Sequence, residues 1–186
     1  PTWPGYNKPG FGAPAGTAPE GSGVIVSNNG LIVTASHVVS KATDVIVRDI
    51  NGNKFNAEII FDDPLTDLAL LKTKMNNNKI NINLKRPKIG SNTCLISNSF
   101  GLDLNITCGI VSSNKKSGIG FNSKEDFIQI DAAANPGSSG GAVVNENGEL
   151  IGIMSGIFTK QSDTNVGVNF AISSELLIET ISHLLK

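Results

Sequence analysis

Short apolar, β-branched runs recur along this chain, each closed by a turn signal, and that spacing points to antiparallel sheets. Runs at 23–27 and 31–34 flank Asn28-Asn29-Gly30, and runs at 44–48 and 54–61 flank Asn51-Gly52-Asn53. Asn-Gly between β-type runs favours the tight turn of a hairpin. A fifth run covers 68–72. Residues 73–91 are polar, contain Pro87 and Gly90, and read as a connection. A second series follows at 93–97, 106–112, 127–131, 141–144, 150–155 and 166–172, with Asn145-Glu146-Asn147-Gly148 as another hairpin turn. Leu176, Leu177, Ile181, Leu184 and Leu185 then fall at helical spacing, so 173–185 is expected to be an amphipathic helix. Two strand series with one terminal helix predict an all-β fold of two small barrels in tandem. The expected units are 21–85 and 86–172, with the helix at 173–186.

The chain has 186 residues, enough for one sizeable core or two small ones. Its net charge of −1 is scattered and forms no basic stripe, which argues against nucleic acid as a partner. No apolar run reaches membrane-spanning length and the sequence reads without a secretory signal, which in a chain that starts at Pro1 rather than Met says little about compartment. Residues 1–20 are rich in Pro and Gly, with Trp3, Tyr6 and Phe11 interspersed. They read as a leader without regular structure; the alternative is that the aromatics dock on a neighbouring subunit. Cys94 and Cys108 are the only cysteines, and His37 and His183 the only histidines, so no metal site or other cofactor is expected. The two cysteines lie on runs that should pair as neighbouring strands. They could form one disulfide; the expectation is two reduced thiols, because a small offset of register turns one side chain away.

The chemistry concentrates in Gly137-Ser138-Ser139-Gly140-Gly141. A serine flanked by glycines suits a hydroxyl carried on a tight turn, with backbone N–H groups free to face a substrate oxygen. A hydroxyl is a poor nucleophile near neutral pH and needs a base, which histidine supplies. His37 follows the run 31–34. Asp67 interrupts the apolar stretch 65–71, so the neighbouring strand should carry it inward. His37, Asp67 and Ser139 therefore stand in one of the known chain orders of a hydrolytic triad, with the first two in one unit and the third in the other.

These motifs resemble the trypsin-like serine proteases, and more closely the HtrA/Deg proteases of protein quality control. The resemblance rests on Gly21-Ser22-Gly23-Val24-Ile25-Val26, on Gly30 to Thr34 leading to His37, and on Asp67-Leu68-Ala69-Leu70-Leu71-Lys72. It continues through Asn98-Ser99-Phe100-Gly101, Gly109-Ile110-Val111-Ser112 and Gln129-Ile130-Asp131-Ala132-Ala133-Ala134-Asn135-Pro136-Gly137, and closes at Gly167-Val168-Asn169-Phe170-Ala171-Ile172. It implies a double six-stranded β-barrel with His37 as general base, Asp67 as its orienting partner and Ser139 as nucleophile. The N–H groups of Gly137 and Ser139 are implied as the oxyanion hole. It implies also a homotrimer acting on unfolded polypeptide, and a cell-envelope or periplasmic location if the source is bacterial. Three residues depart from the family: Ser138 for the usual Asn, Ala142 for Pro, and Ala134 for a larger aliphatic residue. The chain also ends after its helix, where the family commonly adds a PDZ domain.

By position in such a fold, Ala132, Ala133, Ala134 and Met154, Ser155, Gly156, Ile157 line the primary specificity pocket, with 168–170 opposite. No acid stands near Ala133; Asp131 is the nearest carboxylate. Small or medium aliphatic side chains are therefore expected there. Two rival readings compete. In the first, Ser139 sits on a strand-to-helix elbow with Asp163 and His183 as partners; this is disfavoured because 140–147 reads as strand then turn. In the second, the protease fold binds polypeptide with little turnover.

Overall fold

The computed structural model of the chain describes residues 21–99, 103–157 and 166–185. The Pro/Gly-rich leader, with Trp3, Tyr6 and Phe11, lies outside them, as does the 158–165 connection with Asp163. All the expected strands form. β1 (Val24–Ile25), β2 (Leu31–Ala35), β3 (Val45–Arg48), β4 (Lys54–Asp63) and β5 (Leu68–Lys72) make a five-stranded antiparallel sheet in the order β1-β2-β5-β4-β3. β6 (Asn92–Ser97), β7 (Asn105–Lys116), β8 (Phe127–Ile130), β9 (Ala142–Val144), β10 (Leu150–Ile157) and β11 (Asn169–Ser173) close into a barrel in the order β10-β11-β8-β7-β6-β9. The second series thus forms the expected six-stranded barrel, while the first is a curled sheet of five strands among the described residues.

Burial explains the difference between the strands. β2 and β5 are buried at almost every position, whereas β4 alternates outward and inward along its ten residues. That alternation marks a sheet wetted on one face. β2 and β5 pair centrally, with Val33 opposite Leu70 and Ala35 opposite Leu68. Val33, Leu68 and Leu70 then pack in one cluster with Phe127, Leu150, Ile153 and Ile172 of the barrel. The two sheets therefore share a core. The helix α2 (Ser174–Ile181) seals it with Leu176, Leu177 and Ile181. Ser173 caps this helix by accepting the Leu176 N–H at 3.2 Å. No helix among the described residues is long and apolar enough to cross a membrane.

Cys94 and Cys108 correct the sequence reading. They face each other directly in the β6–β7 register and are joined in a disulfide, with Cα atoms 4.0 Å apart. The anticipated offset does not occur: the pairing runs without a bulge from Asn92–Ile110 to Ser97–Asn105. Directly opposed residues of an antiparallel pair project to the same face, which brings the two sulfurs together.

Candidate active site

His37 leaves β2 on α1 (Ser36–Val39), a single helical turn. Asp67 ends the turn between β4 and β5. Asp63 organises that turn by accepting the Leu65 N–H and the Thr66 hydroxyl. Asp67 itself has φ of +63°, a left-handed conformation that Asp tolerates better than most side chains. Its carboxylate is buried, with the residue 6% exposed. Three donors converge on it. The His37 N–H reaches Oδ1 at 2.9 Å, His37 Nδ1 lies 2.8 Å from Oδ2, and the Ser155 hydroxyl donates to Oδ2 at 2.6 Å. The Asp67 carbonyl also accepts the Ser36 N–H, which fixes the start of α1 on the same turn. A proton on Nδ1 facing the carboxylate leaves Nε2 as the acceptor, and Nε2 stands 3.0 Å from Ser139 Oγ.

Ser139 sits on a turn whose neighbouring peptides are held one by one. The Ser138 N–H donates to the Asn135 carbonyl at 2.9 Å, and Gly137 has φ of +93°. Pro136 and Gly137 at the two central positions suit a type II turn. The Gly141 N–H donates to the Ser138 carbonyl, and the Gly140 N–H to the Met154 carbonyl on β10. Gly140 has φ of +86°, and a Cβ there would overlap the Ser22 carbonyl and the Thr34 hydroxyl. Glycine is therefore required twice over, by conformation and by space. Among the described residues, the N–H groups of Gly137 and Ser139 have no protein partner. Two uncommitted donors beside a hydroxyl can meet a developing oxyanion.

Ser138, the departure from the family's Asn, is 1% exposed and fully engaged. Its hydroxyl accepts the Asn135 N–H at 3.0 Å and bonds to Ser99 Oγ at 2.9 Å and Ser97 Oγ at 3.2 Å. A cluster of three small hydroxyls occupies this position.

The residues expected to line the pocket separate into groups. Ala132, Ala134 and Met154 are buried in the barrel cluster with Val111, Ile130 and Ala171. Ala133 is exposed, and a Cβ on Gly156 would meet only open space. Ser155 directs its hydroxyl to Asp67 rather than toward a pocket. Ile157 ends β10, and its side chain lies outside the described set. Asp131 turns its carboxylate to the Ile110 N–H of β7 at 2.7 Å. On the opposite wall Asn169 is fully buried and donates to the Ile130 and Ala132 carbonyls.

The rival elbow does not form. Ser139 leads into β9, a strand, and His183 lies in a 3₁₀ turn (Ser182–Leu184), its ring edge-on to Phe61. Ser22 is the residue at this turn that sequence reasoning missed, and Ser155, expected to line the pocket, instead donates to Asp67. Ser22 was visible as part of Gly21-Ser22-Gly23, but nothing in the spacing linked it to Ser139. The 117–126 loop is knitted by Glu125. Burial works to raise the Glu125 pKa, but the N–H groups of Asn122, Ile119, Phe121 and Gly118 outweigh it and hold it below its ordinary 4.5. The loop also meets the Asp67 turn, where the Lys124 N–H donates to the Leu65 carbonyl at 2.9 Å.

The chain is similar to known peptidases in sequence and in fold. Residues 21–153 match the family model described as a trypsin-like peptidase domain. The chain is 41% identical over 170 residues to the periplasmic serine endoprotease DegP of Escherichia coli, covering 89% of this chain and 36% of that protein. It is 39% identical over 171 residues to the serine endoprotease DegS of Escherichia coli, covering 89% of this chain and 48% of that one. Among solved structures, it superposes on the HtrA-type protease AlgW with decapeptide at a TM-score of 0.83 and 39% identity, over 88% of this chain and 51% of that one. A serine endoprotease from Yersinia pestis superposes at 0.78 and 37% identity, over 94% of this chain and 61% of that one. The chain spans less than half the length of the two curated relatives.

Proposed function

This chain belongs to the trypsin-like peptidase family, and we propose that it is a serine endopeptidase of the HtrA type, cleaving unfolded or misfolded polypeptide through an acyl-enzyme. The observation that carries the reading is the unbroken line from the Asp67 carboxylate through His37 to the Ser139 hydroxyl, next to the Gly137 and Ser139 N–H groups, which have no partner among the described residues.

In this mechanism Ser139 Oγ attacks the scissile carbonyl carbon while His37 Nε2 takes the hydroxyl proton. Asp67 holds the ring in its orientation and stabilises the imidazolium. The carbonyl oxygen becomes an oxyanion between the N–H groups of Gly137 and Ser139. Collapse expels the amine, which receives its proton from His37. Water then attacks the acyl-enzyme by the same route and frees Ser139. His37 and Asp67 come from the first sheet and Ser139 from the barrel.

The Ala132–Ala134 and Met154–Ile157 segments offer no buried acid, and Asp131 is engaged with β7. Cleavage after small or medium aliphatic residues such as Val, Ala, Ile, Leu or Met follows, because an apolar wall cannot offset the desolvation of a cation. Family resemblance supports a homotrimer using Trp3, Tyr6 and Phe11, and a periplasmic or cell-envelope location. Light scattering on a chain lacking residues 1–20 tests the trimer.

A fluorophosphonate is expected to label Ser139 in the folded protein. Ser139→Ala is expected to abolish labelling and to lower peptidase activity by about 10⁶-fold with unchanged circular dichroism. A folded chain that takes no label supports the alternative of a protease fold binding polypeptide without turnover. Dominant cutting after Lys or Arg in a denatured protein mixture overturns the pocket assignment.

A further inference from the structure

Ser22 lies outside the triad and the oxyanion donors, yet it touches the Ser139 turn at two points. Its N–H donates to the Ser139 carbonyl at 2.8 Å. Its hydroxyl donates to the Gly137 carbonyl at 2.7 Å and accepts the Asn98 N–H at 2.8 Å. Its carbonyl accepts the Thr34 hydroxyl at 2.7 Å, three residues before His37. We propose that Ser22 is a positioning residue of the catalytic turn, holding the two carbonyls that bracket the Ser138–Ser139 peptide.

The argument is one of peptide planes. The Ser139 N–H belongs to the peptide between Ser138 and Ser139. The planes on either side carry the Gly137 and Ser139 carbonyls, and Ser22 binds both of them. With the flanking planes fixed, the Ser139 N–H has a single direction in which to point. Gly137 and Gly140, both at positive φ, flank the turn, and glycine ranges widely over φ, so the Ser22 bonds add to those already made to the Asn135, Ser138 and Met154 carbonyls. Proton counting agrees: one hydroxyl hydrogen serves Gly137, and one lone pair serves Asn98. Asn98 follows β6, and Gly141 would meet Ser97 and Ile96 if it carried a Cβ. Ser22 therefore fastens the turn to the end of β6 as well as to β1 and β2. Among the described residues no hydrogen bond joins Ser22 to His37 or to Ser139 Oγ, so it acts through the backbone.

This inference rests on the serine-protease reading, and the experiment separates the two. Ser22→Ala and Ser22→Thr are compared with the parent chain for kcat, KM, thermal midpoint and inhibition by a peptide aldehyde, whose hemiacetal oxygen occupies the oxyanion position. Ser22→Ala is expected to lower kcat by about 30-fold, short of the roughly 10²–10³-fold loss on removing an oxyanion donor outright. KM is expected to stay within about twofold, because ground-state binding is not what the turn supplies. Aldehyde affinity is expected to fall in step with kcat. Ser22→Thr, which keeps the hydroxyl, restores most of both. An active parent with kcat unaffected by Ser22→Ala overturns the inference alone. So does a parallel loss of kcat, KM and thermal midpoint that Ser22→Thr leaves unrepaired, since that describes a merely structural residue. A parent that neither hydrolyses peptide nor takes up fluorophosphonate overturns both readings.

Discussion

The open sheet and the closed barrel hold their halves of the site by different means. The sheet β1-β2-β5-β4-β3 delivers two side chains, His37 and Asp67, and these are fixed by side-chain hydrogen bonds to each other. The barrel delivers a hydroxyl and backbone donors, and these are fixed by main-chain bonds around Ser139. A disulfide also staples the barrel between β6 and β7. The first half should therefore be sensitive to changes of chemistry that spare shape. The second should be sensitive to changes of shape that spare chemistry.

Asp67→Asn is the sharpest probe of the first half. Asn occupies the same volume and tolerates the left-handed backbone at this position. Its carboxamide presents one acceptor where Asp67 now meets His37 twice and Ser155 once. An expected loss of about 10⁴-fold in kcat follows from the wrong histidine tautomer, with a thermal midpoint close to the parent's. A loss below about 100-fold would remove the distinction between the halves.

Gly140→Ala probes the second half with one methyl group. The added Cβ meets the Ser22 carbonyl and the Thr34 hydroxyl at a positive φ. Destabilisation of about 3 kcal/mol is expected, read by urea unfolding and accompanied by loss of activity. An undisturbed midpoint would show that the turn relaxes freely.

The staple gives a third test. Cys94→Ser combined with Cys108→Ser opens a loop of sequence separation 14. It is expected to cost about 2–3 kcal/mol of stability. If the barrel's own hydrogen bonds hold the turn, kcat at 25 °C changes by less than about threefold. A larger fall in kcat ties the site to the disulfide.

Ser155→Ala has the smallest expected effect and crosses the divide, because this barrel hydroxyl donates to the sheet's carboxylate. Asp67 keeps its two bonds to His37, so kcat is expected to fall by only about tenfold, with KM unchanged. A loss equal to that of Asp67→Asn would make Ser155 a full partner of the acid.

Much of this was legible beforehand because its signals are local. The alternation of β4 follows from a period of two, and the turns at Gly30, Gly52 and Gly148 follow from Asn-Gly and its relatives. The helix α1 was not legible: four residues carry no period, and Val38-Val39 reads as strand. The state of the cysteines was misread because it depends on a register that composition does not specify.

By itself the sequence determined which segments become strands, where the glycines permit unusual turns, and the chain order of His37, Asp67 and Ser139. The tertiary structure decided everything that spans the two sheets. The His37–Ser139 contact bridges 102 positions, Ser155–Asp67 bridges 88 and Ser22–Gly137 bridges 115. Periodicity reports a residue's face on its own element and says nothing of what that face will meet. The meeting is set by the shared core, where Val33, Leu68 and Leu70 seat against Phe127, Ile153 and Ile172 and hold the two sheets in one relative position. Hydrogen bonds keep their strength over only a few tenths of an ångström, so that seating is what turns three separated side chains into one site.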